Sequence, residues 1–286
     1  MRRGVAAITM FRGDHFWLQI WLRHYEKLLG GRENLFVILH GGDATARAML
    51  EGVSQINVPL FIGDAAFEKR RMRFIHSFAA GLLQYFARIV FVDTDEMLCL
   101  HPDAGDNFGR YVEEHTYGGK ALSSVGIELL AKEGSPALDP GQSILGQCNR
   151  GVVSGGYCKP NVFFQPIGRA NQHRIPGEPL TIDRNLLLFH LRYADHERFL
   201  TTSEERRAYA GSTNQVGAKR VGGWDDPVSD YYRKLEYFEN EDPVELTKEN
   251  LEPVLQRFER TYRRKGRPGG RSYGHFIVPE AIHHLV

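Results

Sequence analysis

The sequence predicts an α/β protein with a mostly parallel, twisted sheet flanked by helices and a helical appendage at the C-terminal end. The first observation behind this prediction is an alternation of short apolar runs, typical of strands, with amphipathic runs, typical of helices. The second is composition: of 286 residues, 42% are hydrophobic and 25% are charged. This is the make-up of a globular chain with enough apolar residues for a large core.

The first third of the chain gives the clearest element order. Strand, helix, strand, strand, helix and strand are predicted over residues 5–10, 14–29, 33–40, 55–60, 67–87 and 88–92. The first helix follows from apolar residues at helical spacing, among them Phe16, Ile20 and Trp21, and Gly30 ends it. In sheets built this way, ligands bind beyond the carboxyl ends of the strands.

The rest of the chain is less regular. Residues 116–180 are richer in Gly and Pro, and further strands are predicted near residues 162–167 and 186–195. From about residue 200 the chain becomes polar, and a helix is predicted over residues 248–266. We therefore expect a main domain over residues 1–200 and a helical extension over residues 201–286 that packs on it.

Charge and cysteine content narrow the classes of partner. The chain has 36 Lys and Arg against 35 Asp and Glu, a net charge near +1. A balance this close to zero does not predict a nucleic-acid partner. The three cysteines fit no metal or disulfide spacing, and reduced thiols indicate a cytoplasmic protein. The sequence contains no apolar run of about 18 residues, so we predict no membrane span. Peripheral contact with the inner face of the membrane stays compatible with the sequence.

Residues 88–100, RIVFVDTDEMLCL, bring two aspartates to the end of an apolar strand. On a strand, Asp93 and Asp95 would lie on one face with Cα atoms about 6–7 Å apart. At that distance the two carboxylates repel each other by about 2–3 kcal/mol at an effective dielectric constant of about 20. A divalent cation with oxygen ligands, Mg²⁺ or Mn²⁺, would offset this repulsion. The alternative is that the aspartates cap the following turn or helix.

Four basic residues open the preceding helix: Lys69, Arg70, Arg71 and Arg73. Cations at a helix N-terminus oppose the helix dipole, so such a dense cluster indicates a function. Arginines beside a helix N-terminus form an anion site, and a diphosphate would suit it. Taken alone, Arg71 reads as part of a solvated basic face.

Several segments in order resemble a known family: TMFRGDHFWLQIWLRHYEKLLG, ENLFVILHGGD, RRMRFIHSFAAGLL, VFVDTDEML, GYCKPNVFF and LLLFHLRYAD. Over about residues 5–200 the chain resembles the GT-A-fold glycosyltransferases, specifically the family 2-like bacterial proteins. The resemblance implies transfer of a sugar from a nucleoside diphosphate donor to a carbohydrate or lipid-linked acceptor. It also implies Mn²⁺ or Mg²⁺ at the aspartate pair.

The resemblance implies roles for individual residues. Asp93 and Asp95 match the metal and donor contact, and His190 matches a late histidine that completes the metal site, with His173 as its competitor. The remaining donor-binding candidates are Thr9, Arg12, Asp43, Arg70, Arg73 and Lys159. Two alternatives stay open: His190 as a strand-end histidine bonded to the backbone, and Lys159 as a surface lysine before a turn proline.

An inverting transfer needs a carboxylate base for the acceptor hydroxyl. Asp139, in ALDPGQ, is the candidate, with Glu133 and Glu178 as rivals. Three alternatives remain open, and one is a structural protein, which would leave the aspartate pair and the arginine cluster unexplained. A phosphatase of the haloacid dehalogenase kind would use Asp93 as its nucleophile. An inactive module on the same fold would bind a sugar nucleotide without turning it over.

Overall fold

The computed structural model describes residues 4–60, 67–168, 173–212, 227–240, 242–266 and 272–286. Within these ranges eleven strands form one sheet. The strands are β1 Val5–Phe11, β2 Leu35–His40, β3 Ser54–Val58, β4 Arg88–Phe91, β5 Glu96–Leu100, β6 Ala121–Leu130, β7 Arg150–Ser154, β8 Pro160–Phe163, β9 Ile182–Tyr193, β10 Val244–Glu245 and β11 Ser272–Ile277. The α-helices are α1 His15–Leu29, α2 Ala44–Met49, α3 Phe67–Leu82, α4 Phe108–Glu114, α5 Ile144–Gln147, α6 His196–Ser212, α7 Pro227–Asn240 and α8 Lys248–Lys265.

The sheet has a parallel part and a mixed part. Strands β3, β2, β1 and β4 are neighbours and run parallel. Beyond β4 the order continues through β8, β6, β7, β11 and β10, with antiparallel pairings from β4 to β11. Strand β9 pairs parallel with β6 and antiparallel with β5. The predicted α/β class, with a mostly parallel central sheet flanked by helices, is confirmed.

Alternation along β1 shows why both faces need helices. Val5 and Ala7 are buried in one hydrophobic cluster, which includes Trp17 and Trp21 of α1. The intervening residue Ala6 lies in a second cluster with apolar residues of α3. Because side chains alternate across a strand, each face buries its own half of β1. Helix α1 ends at Gly30, which has a φ of 76°, a conformation that glycine adopts without steric cost.

Residues 201–286 contribute strands as well as helices. The predicted late helix is confirmed as α8, capped by Thr247, whose side chain accepts a hydrogen bond from the Asn250 N–H. Strand β11 pairs antiparallel with β7, so this part of the chain joins the main sheet. Apolar residues of α8 and β11 lie in the same hydrophobic cluster as β1 and α1. The boundary at residue 200 stays a prediction.

No helix among the described residues combines the length and apolarity required to cross a lipid bilayer.

Candidate functional site

The two aspartates lie in a tight turn between β4 and β5, at the carboxyl end of the parallel strands. Strand β4 ends at Phe91, so the pair does not continue the strand as the sequence suggested. The Glu96 N–H donates to the Asp93 carbonyl (3.1 Å), and the Asp93 N–H donates to the Glu96 carboxylate (2.9 Å). These two bonds close a turn over residues 93–96. The Asp93 and Asp95 side chains remain 26% and 17% exposed, so both can be reached from solvent.

Two cations from different elements face Asp93. Arg71 of α3 donates from Nη1 to Asp93 Oδ1 (3.1 Å), and Lys159 places Nζ 3.6 Å from Oδ2. Burial alone would raise the pKa of Asp93, but Lys159 and Arg71 outweigh burial and lower it. The interpretation of Arg71 as a solvated residue is wrong: its side chain is 13% exposed and also makes a bidentate pair with Glu68.

Lys159 is fully buried just before β8, so the alternative of a surface lysine is wrong. Its Nζ lies 2.6 Å from Oε1 of Glu96, a carboxylate with no exposed surface. Burial would lower the pKa of Lys159, but Glu96 and Asp93 raise it, so the amine keeps its charge. Arg71, Asp93, Lys159 and Glu96 are called the Asp93 cluster below.

His190 of β9 faces Asp95 on one side and a second buried carboxylate on the other. Its Nε2 lies 3.5 Å from Asp95 Oδ2, and its Nδ1 lies 3.7 Å from Oε1 of Glu128 on β6. The Tyr157 ring stacks on the imidazole at 3.9 Å between ring centroids. Burial would lower the pKa of His190, but Asp95 and Glu128 raise it to about 9. Both aspartates of the turn therefore have a basic partner.

Glu128 is in turn bound by a lysine from the C-terminal region. Lys234 of α7 donates from Nζ to Glu128 Oε2 (2.8 Å) and also lies 2.7 Å from Asp230. Burial would raise the pKa of Glu128, but His190 and Lys234 lower it to about 2. Asp95, His190, Glu128 and Lys234 are called the His190 cluster below. Glu128 is not among the sequence-based candidates, although a lone Glu inside the apolar run ALSSVGIELL is a signal of a paired buried charge.

The predicted donor-binding residues of the first two strands lie at the same sheet edge. Thr9 is buried near the end of β1, and Arg12 is exposed just after it. Asp43 caps α2 by accepting the Ala46 N–H (2.8 Å), and its carboxylate is also bound by His15 Nε2 (2.9 Å). The other predicted donor-binding arginines, Arg70 and Arg73, are exposed on α3. Arg71, between them in the sequence, is the arginine that donates to Asp93.

His173 lies within electrostatic range of the Asp93 cluster, since the charges of Lys159 and Asp93 both act on it. Its Nδ1 hydrogen-bonds to the Gly156 carbonyl (2.7 Å), and loss of hydration and the charge of Lys159 lower its pKa.

The predicted base, Asp139, is exposed and shapes its own loop, since it accepts from the Gly141 N–H (2.8 Å) and from Gln142 (3.0 Å). Of its rivals, Glu178 binds Lys120, and Glu133 is exposed.

A further carboxylate, at the start of α1, interacts electrostatically with Asp95. Asp14 precedes α1, its side chain is 22% exposed, and Arg198 of α6 lies 3.7 Å from its Oδ1. Burial raises the pKa of Asp14, Arg198 opposes the rise, and the charge of Asp95 adds to it. The two carboxylates of Asp14 and Asp95 therefore interact electrostatically.

The side chains fit a cation that takes further ligands from a substrate. No group of three or more His, Cys, Asp or Glu in the described ranges is arranged to hold a metal ion. Mg²⁺ commonly binds through one or two carboxylates, waters and substrate phosphates, so fewer protein ligands suffice. Asp95 and His190 offer two ligand atoms 3.5 Å apart, whereas both Asp93 oxygens face cations. Asp95 and His190 are thus the better ligand pair.

Comparisons with known proteins identify no family. Neither a protein-family model nor a curated protein matches the chain. Among solved structures, 4-diphosphocytidyl-2C-methyl-D-erythritol synthase matches with 16% sequence identity and a TM-score of 0.32, over 57% of this chain and 76% of that chain. At this identity and TM-score, the match supports neither a family nor an activity for this chain.

Proposed function

We propose that the protein is a metal-dependent glycosyltransferase that moves a sugar from a nucleoside diphosphate donor to a carbohydrate or lipid-linked acceptor. One observation carries the proposal: a turn at the carboxyl edge of the sheet presents Asp95 beside His190 and Asp93 beside Arg71 and Lys159. Carboxylate, imidazole and buried cations together suit a metal-bridged diphosphate. The resemblance of the sequence to GT-A-fold transferases supports the same class.

The two aspartates have different roles in this proposal. Asp95 and His190 would hold Mn²⁺ or Mg²⁺, which would supply charge stabilisation to the leaving diphosphate. Asp93 instead fixes Arg71 and Lys159, because its two oxygens face one cation each. Arg71 has hydrogen bonds to Glu68 and Asp93, so it is held in place before a donor arrives. The basic residues thus position the anion, and Asp95 positions the cation.

The base for an inverting transfer has two candidates. Asp139 remains the sequence-based candidate. Asp14 is favoured by position, because it lies at the start of α1, beyond the carboxyl end of β1. It is also close enough to Asp95 for that charge to raise its pKa. A carboxylate whose pKa is raised binds a proton more tightly, which suits proton abstraction from an acceptor hydroxyl.

The test is a thermal unfolding screen with UDP, GDP and CDP and their sugars, each with Mn²⁺ or with EDTA. A nucleotide at about 100 times its dissociation constant should stabilise the fold by about 2.7 kcal/mol. We expect this gain for one base, only with metal, and expect Asp95→Ala to abolish it. Asp106→Ala, which changes an exposed aspartate in the loop before α4, is the matched control and should retain the gain.

Outcomes that contradict the proposal are distinct. No stabilisation by any nucleotide, with or without metal, would argue against a donor site. Release of phosphate from phosphate esters, lost in Asp93→Asn, would support the phosphatase instead. Metal-dependent nucleotide binding without transfer to a panel of glycan and lipid-linked acceptors would favour the inactive binding module.

A further inference from the structure

We propose that Glu128 is a positioning residue for His190, and that Lys234 of α7 holds Glu128 in place. Helix α7 is then part of the site and not only part of an appendage. The inference rests on the proposed function in one respect, which is that His190 is taken as the imidazole that faces the cation. The test below includes a readout that needs neither donor nor metal.

The neighbouring strands fix the place of the imidazole. His190 pairs in register with Glu96 on β5 and with Glu128 on β6, so a carboxylate-bearing residue flanks it on each side. The Tyr157 ring covers one face of the imidazole. Stacking limits the tilt of the ring, but it does not determine which nitrogen points toward Asp95.

The two ring nitrogens of His190 face different carboxylates. Nε2 lies 3.5 Å from Asp95, and Nδ1 is buried without a hydrogen-bond partner among the described residues. The acceptor placed to receive an Nδ1 proton is Oε1 of Glu128, at 3.7 Å. A metal-binding histidine commonly gives its other N–H to a carboxylate, which fixes the ring orientation.

The position of Glu128 is unusual for a charged residue. Every residue of β6 is buried, and Glu128 is 2% exposed. Apolar residues of similar size would hold α7 against β6 at least as well as a buried ion pair does, since desolvation of both charges opposes the pairing. An ion pair in this place is better explained by a second task, and the second Glu128 oxygen faces His190.

Lys234 is held by Asp230 as well as by Glu128. Lys234 Nζ lies 2.8 Å from Glu128 and 2.7 Å from Asp230, one turn earlier in α7. The hydroxyl of Tyr193 on β9 donates to the same Asp230 (3.3 Å). The amine is therefore fixed from both sides, and it fixes Oε2 so that Oε1 is directed to the imidazole. Without Lys234, Glu128 would lose its hydrogen-bonded cation and its fixed position.

The experiment compares Lys234→Met with Arg233→Met. Arg233 is the adjacent residue and also pairs with Asp230. It is exposed, and within the described residues it forms no ion pair with Glu128. Ring-nitrogen NMR spectra are recorded on histidine-labelled protein without nucleotide, and the His190 signals are assigned through His190→Gln. We expect Lys234→Met to move both His190 ring signals and Arg233→Met to leave them in place. In the transfer assay, Lys234→Met should lower kcat about 10–100-fold.

A second variant protects the test against misfolding. Glu128→Gln combined with Lys234→Met removes both charges, so no buried ion is left unpaired. It should fold and should still move the His190 ring signals. The positioning role would be overturned if the His190 signals of both Lys234 variants matched those of Arg233→Met, whatever the activity. Moved signals in a protein that transfers no sugar would instead retain the positioning role and reject the proposed function.

Discussion

Strand β9 carries an ion-pair cluster near each end, and the two clusters differ in how completely their hydrogen bonds are made. Near the start of the strand, Arg184 donates to Glu252 (3.1 and 3.2 Å) and to Glu259 (2.6 and 3.2 Å), both on α8. It also donates to the Ile182 carbonyl (2.7 Å). This Arg184 clamp is partly exposed and uses its donors fully, as expected of a contact that fastens a helix to a strand.

Near the other end of β9, the contacts of His190 are longer and more deeply buried. His190 lies 3.5 and 3.7 Å from its two carboxylates, and its Nδ1 makes no hydrogen bond within the described residues. Lys159 and Glu96 of the neighbouring Asp93 cluster are fully buried. Proteins satisfy most buried polar groups, so an incompletely bonded cluster is retained for a reason other than stability. The difference separates an anchoring contact from a candidate site on the same strand.

The largest loss of stability is expected from breaking the fully buried ion pair between Lys159 and Glu96. Lys159→Met leaves Glu96 as an unpaired buried carboxylate, which should lower the free energy of unfolding by about 3–5 kcal/mol. Arg184→Met breaks a partly exposed pair and should cost about 1–2 kcal/mol. Urea denaturation of the two variants measures the gap. Glu96→Gln with Lys159→Met should recover most of the first loss, and equal losses for the two single variants would remove the distinction.

Two buried histidines with opposite shifts extend the comparison to pH. His24 of α1 donates from Nε2 to the Leu98 carbonyl (2.9 Å), and burial lowers its pKa to about 4. An unfolded histidine titrates near 6.5, so the stability from neutral His24 is complete above that pH and is lost as the pH falls toward 4. Between pH 7 and pH 4.5 the loss should be about 2 kcal/mol.

The measurement for His24 is the free energy of unfolding at both pH values in the wild type and in His24→Gln, whose amide can still donate to Leu98. The variant should lose less stability on acidification, because it removes this one titration and leaves the others. His190 cannot mimic this effect, since a raised pKa gives stability that is lost only as the pH rises through about 9. An unchanged acid dependence in His24→Gln would contradict the assignment.

A smaller effect tests which arginine of α3 serves the donor. Arg71→Gln should weaken nucleotide diphosphate binding about tenfold, equal to about 1.4 kcal/mol, because a preorganised charge-assisted hydrogen bond is lost. Arg73→Gln, two residues away and exposed, should change the affinity less than threefold at 0.15 M salt because solvent and ions screen it. Titration calorimetry with Mn²⁺ and the preferred nucleotide compares them. A larger loss in Arg73→Gln would restore the sequence-based assignment.

The smallest expected effect lies in the clamp. The Glu252 side chain is 42% exposed, and Arg184 retains Glu259 when Glu252 is changed to Gln. Stability should fall by less than about 1 kcal/mol, and less still in high salt. Thermal unfolding with and without 1 M NaCl measures it. A loss as large as that of Lys159→Met would show that the exposed cluster is as important to the fold as the buried one.

Local signals explain what the sequence could predict. The alternation of apolar strand-like runs with the helical patterns of α1 and α3 predicted the parallel strands. The apolar run before Asp93 predicted the edge of the sheet where the aspartates lie. Lys159 and His190 were placed near them by resemblance alone. The choice between Arg71 and Arg73 depends on the rotation of α3 about its axis, which the helical period does not fix at a helix start. The pairing of Glu128 with His190 depends on the register between β6 and β9, which no local pattern encodes.

The late arrival of β11 has a consequence for how the chain is made. Strand β7 is complete at Ser154, but its outer neighbour begins only at Ser272. During synthesis, the hydrogen-bonding edge of β7 is open while all the intervening residues emerge. An open edge can recruit a strand from another nascent chain, so ribosome-bound intermediates of this protein are candidates for chaperone protection. Expression fragments that end before β11 should therefore aggregate, even though the whole aspartate turn is present in them.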